Sequence, residues 1–284
     1  MKITGSRGLL RGVGALPLGA LFALLVLIPL VLTLMLSFHQ YDYQQGILPG
    51  YTVEHYLTIV TDDYFLRIFW RTLWISVVTT LLCVLIGGPE AYILSRMRRP
   101  WNSVFLLLVL SPLLVSLVVR AFGWTILLNP AGVLGQLAGW LGFGRLMYTP
   151  TAVIIALVHV MLPFMVIPVW TSLQKADPSA EQAAYSLGAS RARVFWQIVA
   201  PQALPGVLSG SLIVFGLTAS SFAIPALLGG SRQKMAASVV YDQFLIQLNW
   251  PLGAAIAMLL LVANVLIMMS YGRLVEGVYK RSLG

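Results

Sequence analysis

Long apolar stretches separated by short polar segments make up most of this sequence. Six of the stretches are long enough for a helix that crosses the hydrocarbon core of a bilayer, which takes about 20 residues. We predict spanning helices at about 15–37, 69–94, 102–128, 150–173, 205–228 and 252–274. The pattern therefore predicts an all-α polytopic membrane protein in which residues 1–284 form a single membrane domain.

Composition agrees with a membrane protein and excludes a soluble enzyme. Hydrophobic residues make up 59% of the chain and charged residues 10%, whereas soluble domains contain about 25% charged residues. The net charge of +9 does not indicate a nucleic-acid surface, because the basic residues lie in small clusters at the ends of the apolar stretches. We therefore expect a lipid bilayer as the surroundings and no nucleic-acid partner.

The positions of lysine and arginine predict the orientation in the membrane. Of the 18 basic residues, 12 lie on one predicted side: three each before the first span, in 95–101, in 175–204 and from Arg273 onward. Because positively charged loops stay in the cytoplasm, both termini and the 175–204 loop are predicted to be cytoplasmic. The apolar run from Ala15 exceeds the roughly 7–15 residues of a signal-peptide core, so we expect a retained first helix.

Motifs of catalytic and metal sites are missing from the sequence. The three histidines, His39, His55 and His159, are far apart, and none has the spacing of a zinc-binding pair. A phosphate-binding P-loop and a Gly-x-Ser-x-Gly nucleophile motif are also missing. We therefore expect a protein that is not an enzyme, holds no metal and does not itself bind ATP.

Ionisable residues at membrane depth are few, and two of them are Glu90 and Arg120. Such residues commonly mark a substrate or ion pathway. Glu90 could line a path, or it could be hydrated or paired with Arg96 or Arg98 near the cytoplasmic surface. Arg120 could bind an anionic group, or its side chain could extend to the outer interface as an anchor. Carriers driven by protons or sodium ions usually have more acidic residues in their helices, so the scarcity weighs against that class.

Gly206 and Gly210 lie four residues apart near the start of the fifth predicted span. Small residues at this spacing allow two membrane helices to approach each other closely. We therefore predict a tight helix contact at this position, although such pairs are common in membrane helices.

A polar segment of residues 175–205 separates two apolar stretches and carries a helix-turn-helix pattern. Asp177 followed by Pro178 is a common helix start, since Asp caps the first turn and proline fits the first position. Gly188 breaks the pattern. A second, arginine-rich helix follows beside the membrane and is predicted to stop at a pair of prolines that begins with Pro201.

The second half of this segment is amphipathic. Arg191 and Arg193 are expected to remain in water. The predicted apolar face consists of Leu187, Val194, Phe195 and Ile198. Such a surface could rest on lipid headgroups with its arginines on anionic lipids, or it could dock into a partner protein.

The spacing of the segment resembles the cytoplasmic loop in the membrane subunits of binding-protein-dependent ABC importers. In that family the loop follows the pattern Glu-Ala-Ala, three residues, Gly, nine residues and Ile-x-Leu-Pro. The corresponding residues here are Gln182-Ala183-Ala184, Gly188 and Ile198-Val199-Ala200-Pro201. Two positions differ: Gln182 replaces Glu, although Glu181 directly precedes it, and Ala200 replaces Leu.

The resemblance extends over nearly the whole chain and is closest to permeases of the spermidine/putrescine type. The stretches that carry it are Arg71–Ser76, Gly87–Tyr92, Arg120–Trp124 and Leu162–Met165. It implies a type I ABC importer-like fold in the bacterial inner membrane and a translocation path for a small solute. Because members of this subgroup carry varied solutes, the cargo is expected to be a polyamine or an amino-acid-like compound.

The resemblance also implies partners and site residues. A second permease subunit, ATP-binding cassette subunits and an extracytoplasmic solute-binding protein would complete the importer. The ATPase subunits would use ATP and Mg²⁺, and this chain would hold no cofactor. The ATPase-coupling residues would be Glu181, Gln182, Ala183, Ala184, Leu187, Gly188 and Arg191. The substrate path would include Glu90, Arg120, Trp124, Ser220, Ser221, Phe222 and Asp242.

Two other classes of protein remain open at this point. One is a self-contained secondary carrier or channel for a small solute, and the other is a scaffold protein without transport. Neighbouring genes for an ATPase and a solute-binding protein would favour the importer over the carrier. A scaffold would tolerate the loss of the polar residues predicted to line the path.

Overall fold

The computed structural model describes residues 6–282, and within them the side chains of residues 19–273 apart from Pro178. The ends of the two predicted cytoplasmic termini, residues 1–5 and 283–284, lie outside the described residues. Helices dominate the described chain. This confirms the predicted all-α membrane class.

The chain divides into two compact units. The first consists of Met1–Asp62 and Val240–Leu261, and the second of Asp63–Val239 and Val262–Gly284. The first unit contains helix α1 (Ser6–Leu36), strands β1 (His39–Asp42) and β2 (Gly46–Tyr51) and helix α2 (Glu54–Thr61). Two later helices, α11 (Ala236–Leu245) and α12 (Trp250–Ser282), contribute residues to both units.

The two strands of the first unit form an antiparallel hairpin in which Asp42 pairs with Gly46. The Asp42 carboxylate accepts hydrogen bonds from the backbone N–H groups of Gln44 (2.8 Å) and Gln45 (2.9 Å), which closes the turn. Gly46 follows with a φ of +78°, a conformation that favours glycine. The apolar pattern of the sequence does not reveal this hairpin, because the strands are only four and six residues long.

The second unit holds most of the helices. Its elements up to residue 239 are α3 (Asp63–Arg96), α4 (Trp101–Leu110), α5 (Leu117–Leu128), α6 (Val133–Trp140), α7 (Pro150–Gln174), α8 (Pro178–Ser186), α9 (Arg191–Val194) and α10 (Ala200–Ala219). A π-helical stretch, Phe195–Val199, joins α9 to α10, and a second one lies at Pro225–Gly229.

The core of the second unit is formed by α3, α7 and α10, with α7 largely buried among its neighbours. A side chain at Gly206 of α10 would place its first carbon 2.5 Å from the carbonyl oxygen of Pro168 on α7. A side chain at Gly210 would lie 2.9 Å from the sulfur of Met165. The close helix contact predicted from these two glycines is therefore confirmed.

Six helical segments in the described part of the chain are long and apolar enough to cross a membrane. They are Gly19–Leu36, Asp63–Arg96, Leu117–Trp140, Pro150–Gln174, Arg191–Ala219 and Trp250–Arg273. Their number agrees with the prediction. The third and fifth have different boundaries from those predicted, because helices begin and end at turns that the hydropathy pattern does not mark.

The structure differs from prediction most clearly at 102–128, which was expected to be one continuous helix. Helix α4 ends at Leu110, a short 3-10 turn covers Ser111–Leu114, and Val115 is extended with φ −96° and ψ 136°. Pro112 explains the break, because proline supplies no N–H and its ring disfavours a continuing α-helix. The helical path resumes at Leu117 as α5.

Candidate coupling surface and transport path

The polar segment between α7 and α10 begins with the helix cap that the sequence predicts. The Asp177 carboxylate accepts hydrogen bonds from the backbone N–H of Ser179 (2.9 Å) and from its hydroxyl (2.6 Å). The side-chain bond from Ser179, followed by the backbone bond, lowers the pKa of Asp177. The carboxylate therefore stays charged at the start of α8, where a negative charge is favourable.

The turn after α8 is built around Gly188. This residue has a φ of +78°, its N–H donates to the carbonyl of Tyr185 (3.0 Å), and the N–H of Ala189 donates to the carbonyl of Ala184 (3.0 Å). This is the usual left-handed termination of a helix, in which glycine avoids the strain that a side chain would cause. A side chain at Gly188 would meet no atom within 4 Å, so its cost would come from the backbone alone.

The helix after the turn continues into the membrane-spanning part of the chain. Ser190 caps α9 by accepting a hydrogen bond from the N–H of Arg193 (3.4 Å). The prediction that this helix stops at Pro201 is wrong. The N–H of Ala200 bonds to the carbonyl of Phe195, one residue further back than in an α-helix, and this wider turn precedes Pro201 near the start of α10. Proline is tolerated at such an early helical position.

The hairpin formed by α8, the Gly188 turn and α9 has an exposed and a buried face. Val194 is 1% exposed, and Phe195 and Ile198 pack against the core, as predicted. Leu187 is 89% exposed and does not belong to the predicted apolar face, because it caps α8 at the start of the turn. The other exposed residues of the hairpin that were predicted to take part in coupling are Gln182, Ala183, Gly188 and Arg191. Ala184 is half-buried.

Glu181 faces inward, in contrast to its predicted place on a docking surface. It is 7% exposed, and its carboxylate forms an ion pair with Arg96 at the end of α3, in which Arg96 Nη2 donates to Glu181 Oε1. The Arg96 guanidinium also lies over the ring of Tyr92, 5.3 Å from its centre. The pairing of Arg96 with Glu90, one of the interpretations left open by the sequence, is therefore excluded.

Glu90 lies in α3, directly after Pro89, and is half-buried. Within the described residues its carboxylate has no hydrogen bond or ion pair. The carboxylate is thus a negative group in a predicted span without a cation beside it.

Arg120, Trp124 and His159 form a polar cluster where α5 meets α7. Trp124 Nε1 donates a hydrogen bond to His159 Nδ1 (3.2 Å), and the two rings are 5.5 Å apart. Nδ1 is then the acceptor, so in the neutral ring Nε2 carries the proton. His159 also lies within electrostatic range of the Arg120 guanidinium. The cluster therefore offers hydrogen-bond donors.

The Arg120 side chain is partly buried. Its Nε and Nη1 atoms are buried and have no hydrogen-bond partner in the part of the chain that the structure describes. The two interpretations of Arg120, an interfacial anchor and a partner for an anionic group, stay predictions. His159 was considered from the sequence only as a metal ligand, although its position in an apolar span was the signal that could have linked it to Arg120.

Ser220, Ser221 and Phe222 lie where the predicted fifth span leaves the helical conformation. Helix α10 ends at Ala219, and the chain becomes π-helical only at Pro225. Breaks of this kind in membrane helices expose polar backbone groups and often occur at binding sites. Ser221 is buried, and Phe222 is partly exposed.

Asp242, the last residue of the predicted path, lies in α11 and belongs to the first compact unit. The other six predicted path residues belong to the second unit. The described residues contain no group of three or more His, Cys, Asp or Glu side chains that could hold a metal ion.

An apolar bundle needs a surface for an ATPase if its transport is to be driven by ATP. Helix α8 lies outside the apolar spans and has an exposed face. A bundle of spanning helices with an exposed polar hairpin is the arrangement that the resemblance implies for the permease subunit of an ATP-driven importer.

Comparison with known families places the chain within this class. The model of the binding-protein-dependent transport system inner membrane component family matches residues 84–279, and the chain belongs to this family. The chain is 32% identical over 252 residues to the spermidine/putrescine transport system permease protein PotB of Haemophilus influenzae, covering 87% of this chain and 88% of the relative. It is also 32% identical over 254 residues to PotB of Escherichia coli, covering 88% and 92%.

Solved structures share the fold. A bacterial ABC transporter that imports the acidic polysaccharide alginate matches with a TM-score of 0.77 and 18% identity, covering 96% of each chain. The MetNI methionine ABC transporter in an inward-facing conformation matches with a TM-score of 0.59 and 18% identity, covering 77% of this chain and 99% of that chain. The predicted type I importer-like fold is confirmed.

The predicted transport function is also confirmed by the family. The protein is a membrane-spanning subunit of an ATP-driven importer in the bacterial inner membrane, and it forms the translocation path. It is not itself an enzyme, because the ATPase of such an importer is a separate subunit.

Proposed function

We propose that this permease imports a polyamine and is driven by an ATPase that docks on the 175–204 hairpin. The observation that carries the proposal is the exposed face of α8 and its turn. Leu187 is 89% exposed there although the hairpin has a buried apolar face nearby, and it is flanked by the exposed small residue Ala183. An exposed leucine beside small residues on a rigid hairpin is well suited to a protein partner.

The charges of the hairpin predict the chemistry of the ATPase groove that would bind it. Arg96 compensates the charge of Glu181, and the exposed residues of α8, including Gln182 and Tyr185, are uncharged. Arg191 and Arg193 are exposed beside the turn. The ATPase groove would therefore be apolar where it meets Leu187 and acidic where it meets the arginines.

The orientation and the remaining subunits are part of the same proposal. The clusters of basic residues favour both termini and the hairpin in the cytoplasm, where ATP and Mg²⁺ are available to the ATPase. A second permease subunit would complete the membrane part, and an extracytoplasmic solute-binding protein would deliver the cargo. One solved structural relative is an alginate ABC transporter in complex with a substrate-bound periplasmic protein. In this arrangement all six predicted spans, from 15–37 to 252–274, act as one membrane domain.

A polyamine is the cargo that the named relatives support, since both PotB proteins are spermidine/putrescine permeases. Glu90 has the charge that suits an ammonium group, and no ion pair to it exists among the described residues. We propose that Glu90 and the helix break at Ser220, Ser221 and Phe222 line the path.

A second candidate cargo is an amino-acid-like compound, and Arg120 favours it. The buried guanidinium nitrogens repel an ammonium and suit a carboxylate, and His159 Nε2 adds a donor beside them. In this alternative, Arg120 and Trp124 contact the carboxylate end of the cargo.

Transport would follow from movement of the hairpins. ATP binding would close the two ATPase subunits and push the two 175–204 hairpins together, so that the path opens outward and receives the cargo. Hydrolysis would reset the path inward. A conformational change in the ATPase drives transport only if the hairpin moves with the ATPase. This movement requires the docking contact at Leu187.

The proposal is tested with the full importer in proteoliposomes, assembled with its ATPase, second permease and solute-binding protein. We expect uptake of labelled spermidine that requires ATP on the side of the membrane where the ATPase subunits lie. Unlabelled putrescine should inhibit this uptake. Competition by arginine but not by putrescine would select the amino-acid-like cargo. Uptake that persists with an ATPase variant unable to hydrolyse ATP would overturn the importer mechanism in favour of a secondary carrier.

The docking surface is tested in the same system with Leu187→Ser. Loss of a buried leucine contact costs about 2 kcal/mol, so affinity for the ATPase subunit should fall roughly 30-fold. The matched control is Leu141→Ser, which removes a leucine of similar size that is 54% exposed outside the hairpin. Equal affinities for Leu187→Ser and the wild type would exclude this face as the docking site.

A further inference from the structure

The ion pair between Glu181 and Arg96 joins the coupling hairpin to the end of a long spanning helix. Glu181 lies on α8, and Arg96 is the last residue of α3, so the pair connects elements that are 85 residues apart in sequence. Glu181 is buried, and a buried carboxylate that loses its cation is left uncompensated. The carboxylate of the pair is therefore held inside the protein, whereas the Arg96 side chain is 40% exposed.

A second contact holds the other half of the hairpin to the same turn of α3. Tyr92, one turn before Arg96, lies beneath the guanidinium at 5.3 Å. Its ring also meets the ring of Phe195 edge to face, with centres 5.6 Å apart. Phe195 begins the π-helical stretch that follows α9. Arg96 and Tyr92 thus connect two parts of the hairpin region to α3: helix α8 and the π-helical stretch that begins at Phe195.

The part of α3 that is far from Arg96 is also held by hydrogen bonds. Arg71 Nη1 donates to the carbonyl of Arg232 (2.7 Å), and the Thr72 hydroxyl accepts from the N–H of Ala236 (2.8 Å). α3 is a single helix over this whole length. The helix from Arg71 to Arg96 measures about 38 Å, so one element connects the coupling hairpin with a loop at the other end of the spans.

We propose that Arg96 and Glu181 are positioning residues that transmit displacement of the docking helix to α3. The inference rests on the proposed docking of an ATPase at this hairpin. When α8 moves, the ion pair moves the end of α3 with it, and α3 shifts against its core partners α7 and α10. Glu181 thereby acts through Arg96 and not by touching the ATPase, while the neutral Gln182 faces the partner.

The first test compares single substitutions with a charge exchange in the full importer. Arg96→Gln should reduce uptake about tenfold or more, because it leaves the buried Glu181 carboxylate unpaired. Glu181→Gln should also reduce uptake, because it removes the link between α8 and the end of α3. Stimulation of ATP hydrolysis by the loaded solute-binding protein should fall, while the ATPase subunits still copurify with the permease. The double variant Glu181→Arg with Arg96→Glu should recover uptake to within about threefold of the wild type.

Arg98→Gln is the matched control, since this arginine is two residues away and exposed, and no ion pair to it exists in the described part of the chain. It should transport as the wild type does. Normal stimulation and uptake in both single variants would overturn the inference and leave the importer function standing. Failure of the wild type to couple uptake to ATP would instead remove the proposed function itself.

A covalent link gives an independent measurement if a single variant fails to assemble. The chain has one cysteine, Cys83, which is buried and can be replaced by alanine. In that background Arg96→Cys with Glu181→Cys should transport poorly until a short bifunctional thiol reagent joins the two positions, and then recover. Loss of the remaining uptake on joining them would show that α3 and α8 must separate during transport, and would overturn the inference.

Discussion

Arg120 brings a positive charge into the membrane-spanning part of the chain, yet its Nε and Nη1 atoms have no hydrogen-bond partner among the described residues. Buried polar groups are nearly always bonded, and leaving one unbonded costs about 1–3 kcal/mol. Such a group therefore lowers the stability of the folded protein. Residues of this kind concentrate at functional sites, where the missing partner is a ligand or another subunit.

We predict that Arg120→Met raises the stability of the isolated permease and lowers its activity. Removing the unpaired charge should raise the apparent Tm in detergent by at least about 2 °C. Uptake should fall about tenfold, the effect of about 1.4 kcal/mol on the transport barrier. Arg145→Met, at an exposed arginine of the same unit, should change neither quantity. A lower Tm for Arg120→Met would show that the guanidinium has a structural role in the single chain.

The requirement for glycine at position 188 comes from its backbone conformation and not from a lack of space. Its φ of +78° strains any residue with a side chain by about 1–2 kcal/mol, least for asparagine and most for a β-branched residue. We predict that Gly188→Val weakens ATPase binding about tenfold while Gly188→Asn stays close to wild type. Copurification of the ATPase at graded subunit concentrations measures the difference. Equal losses for both variants would point to a steric and not a conformational requirement.

At the scale of elements, the contact between α7 and α10 depends on Gly206. A methyl group at this position would lie 2.5 Å from a carbonyl oxygen of α7, so the helices must separate to admit it. We predict that Gly206→Ala destabilises the permease by about 1–3 kcal/mol. Gly123→Ala is the control, because a methyl group there meets nothing within 4 Å and alanine favours a helix. Thermal unfolding in one detergent compares them, and equal Tm values would contradict the tight contact.

Elements bounded by charged residues or clear caps could be predicted from the sequence. Helix α7 was predicted at 150–173 and occupies Pro150–Gln174, because an apolar run of spanning length is bounded by Thr149 at one end and a polar segment at the other. The cap at Asp177 and the turn at Gly188 followed in the same way from residue types with strong local preferences.

Elements whose ends depend on tertiary packing could not be predicted. Pro112 breaks a helix between α4 and α5, whereas Pro201 follows a π-helical turn and leaves the helix continuous, although both lie in apolar surroundings. The ion pair of Glu181 escaped prediction because its partner is 85 residues away in sequence. Which hairpin residues face outward also depends on such distant contacts. The sequence therefore grouped Leu187 with Val194, Phe195 and Ile198, although Leu187 is exposed and the other three pack against the core.

At the scale of the whole molecule, transport requires that the hairpin and the path respond to each other. Helix α3 is suited to this because it holds the hairpin at Arg96, packs against α7 and α10 along its length, and holds residues 232–236 at its other end. A permease built this way needs no ATP site of its own. It needs a rigid element between the surface that receives mechanical work and the helices that bound the path.

The orientation of the molecule can be measured with single cysteines, because the one native cysteine is buried and replaceable. In a Cys83→Ala background, Tyr43→Cys lies in the β1–β2 turn, where Tyr43 is 79% exposed, and Arg193→Cys lies on the exposed part of the hairpin. The basic clusters predict that the first lies outside and the second in the cytoplasm. A membrane-impermeant maleimide should therefore label only Tyr43→Cys in intact spheroplasts and both variants after permeabilisation. The unsubstituted Cys83 should stay unlabelled in both conditions, as its burial requires. Labelling of Arg193→Cys in intact spheroplasts would place the hairpin on the outer side, away from ATP, and would remove the basis for ATPase docking there.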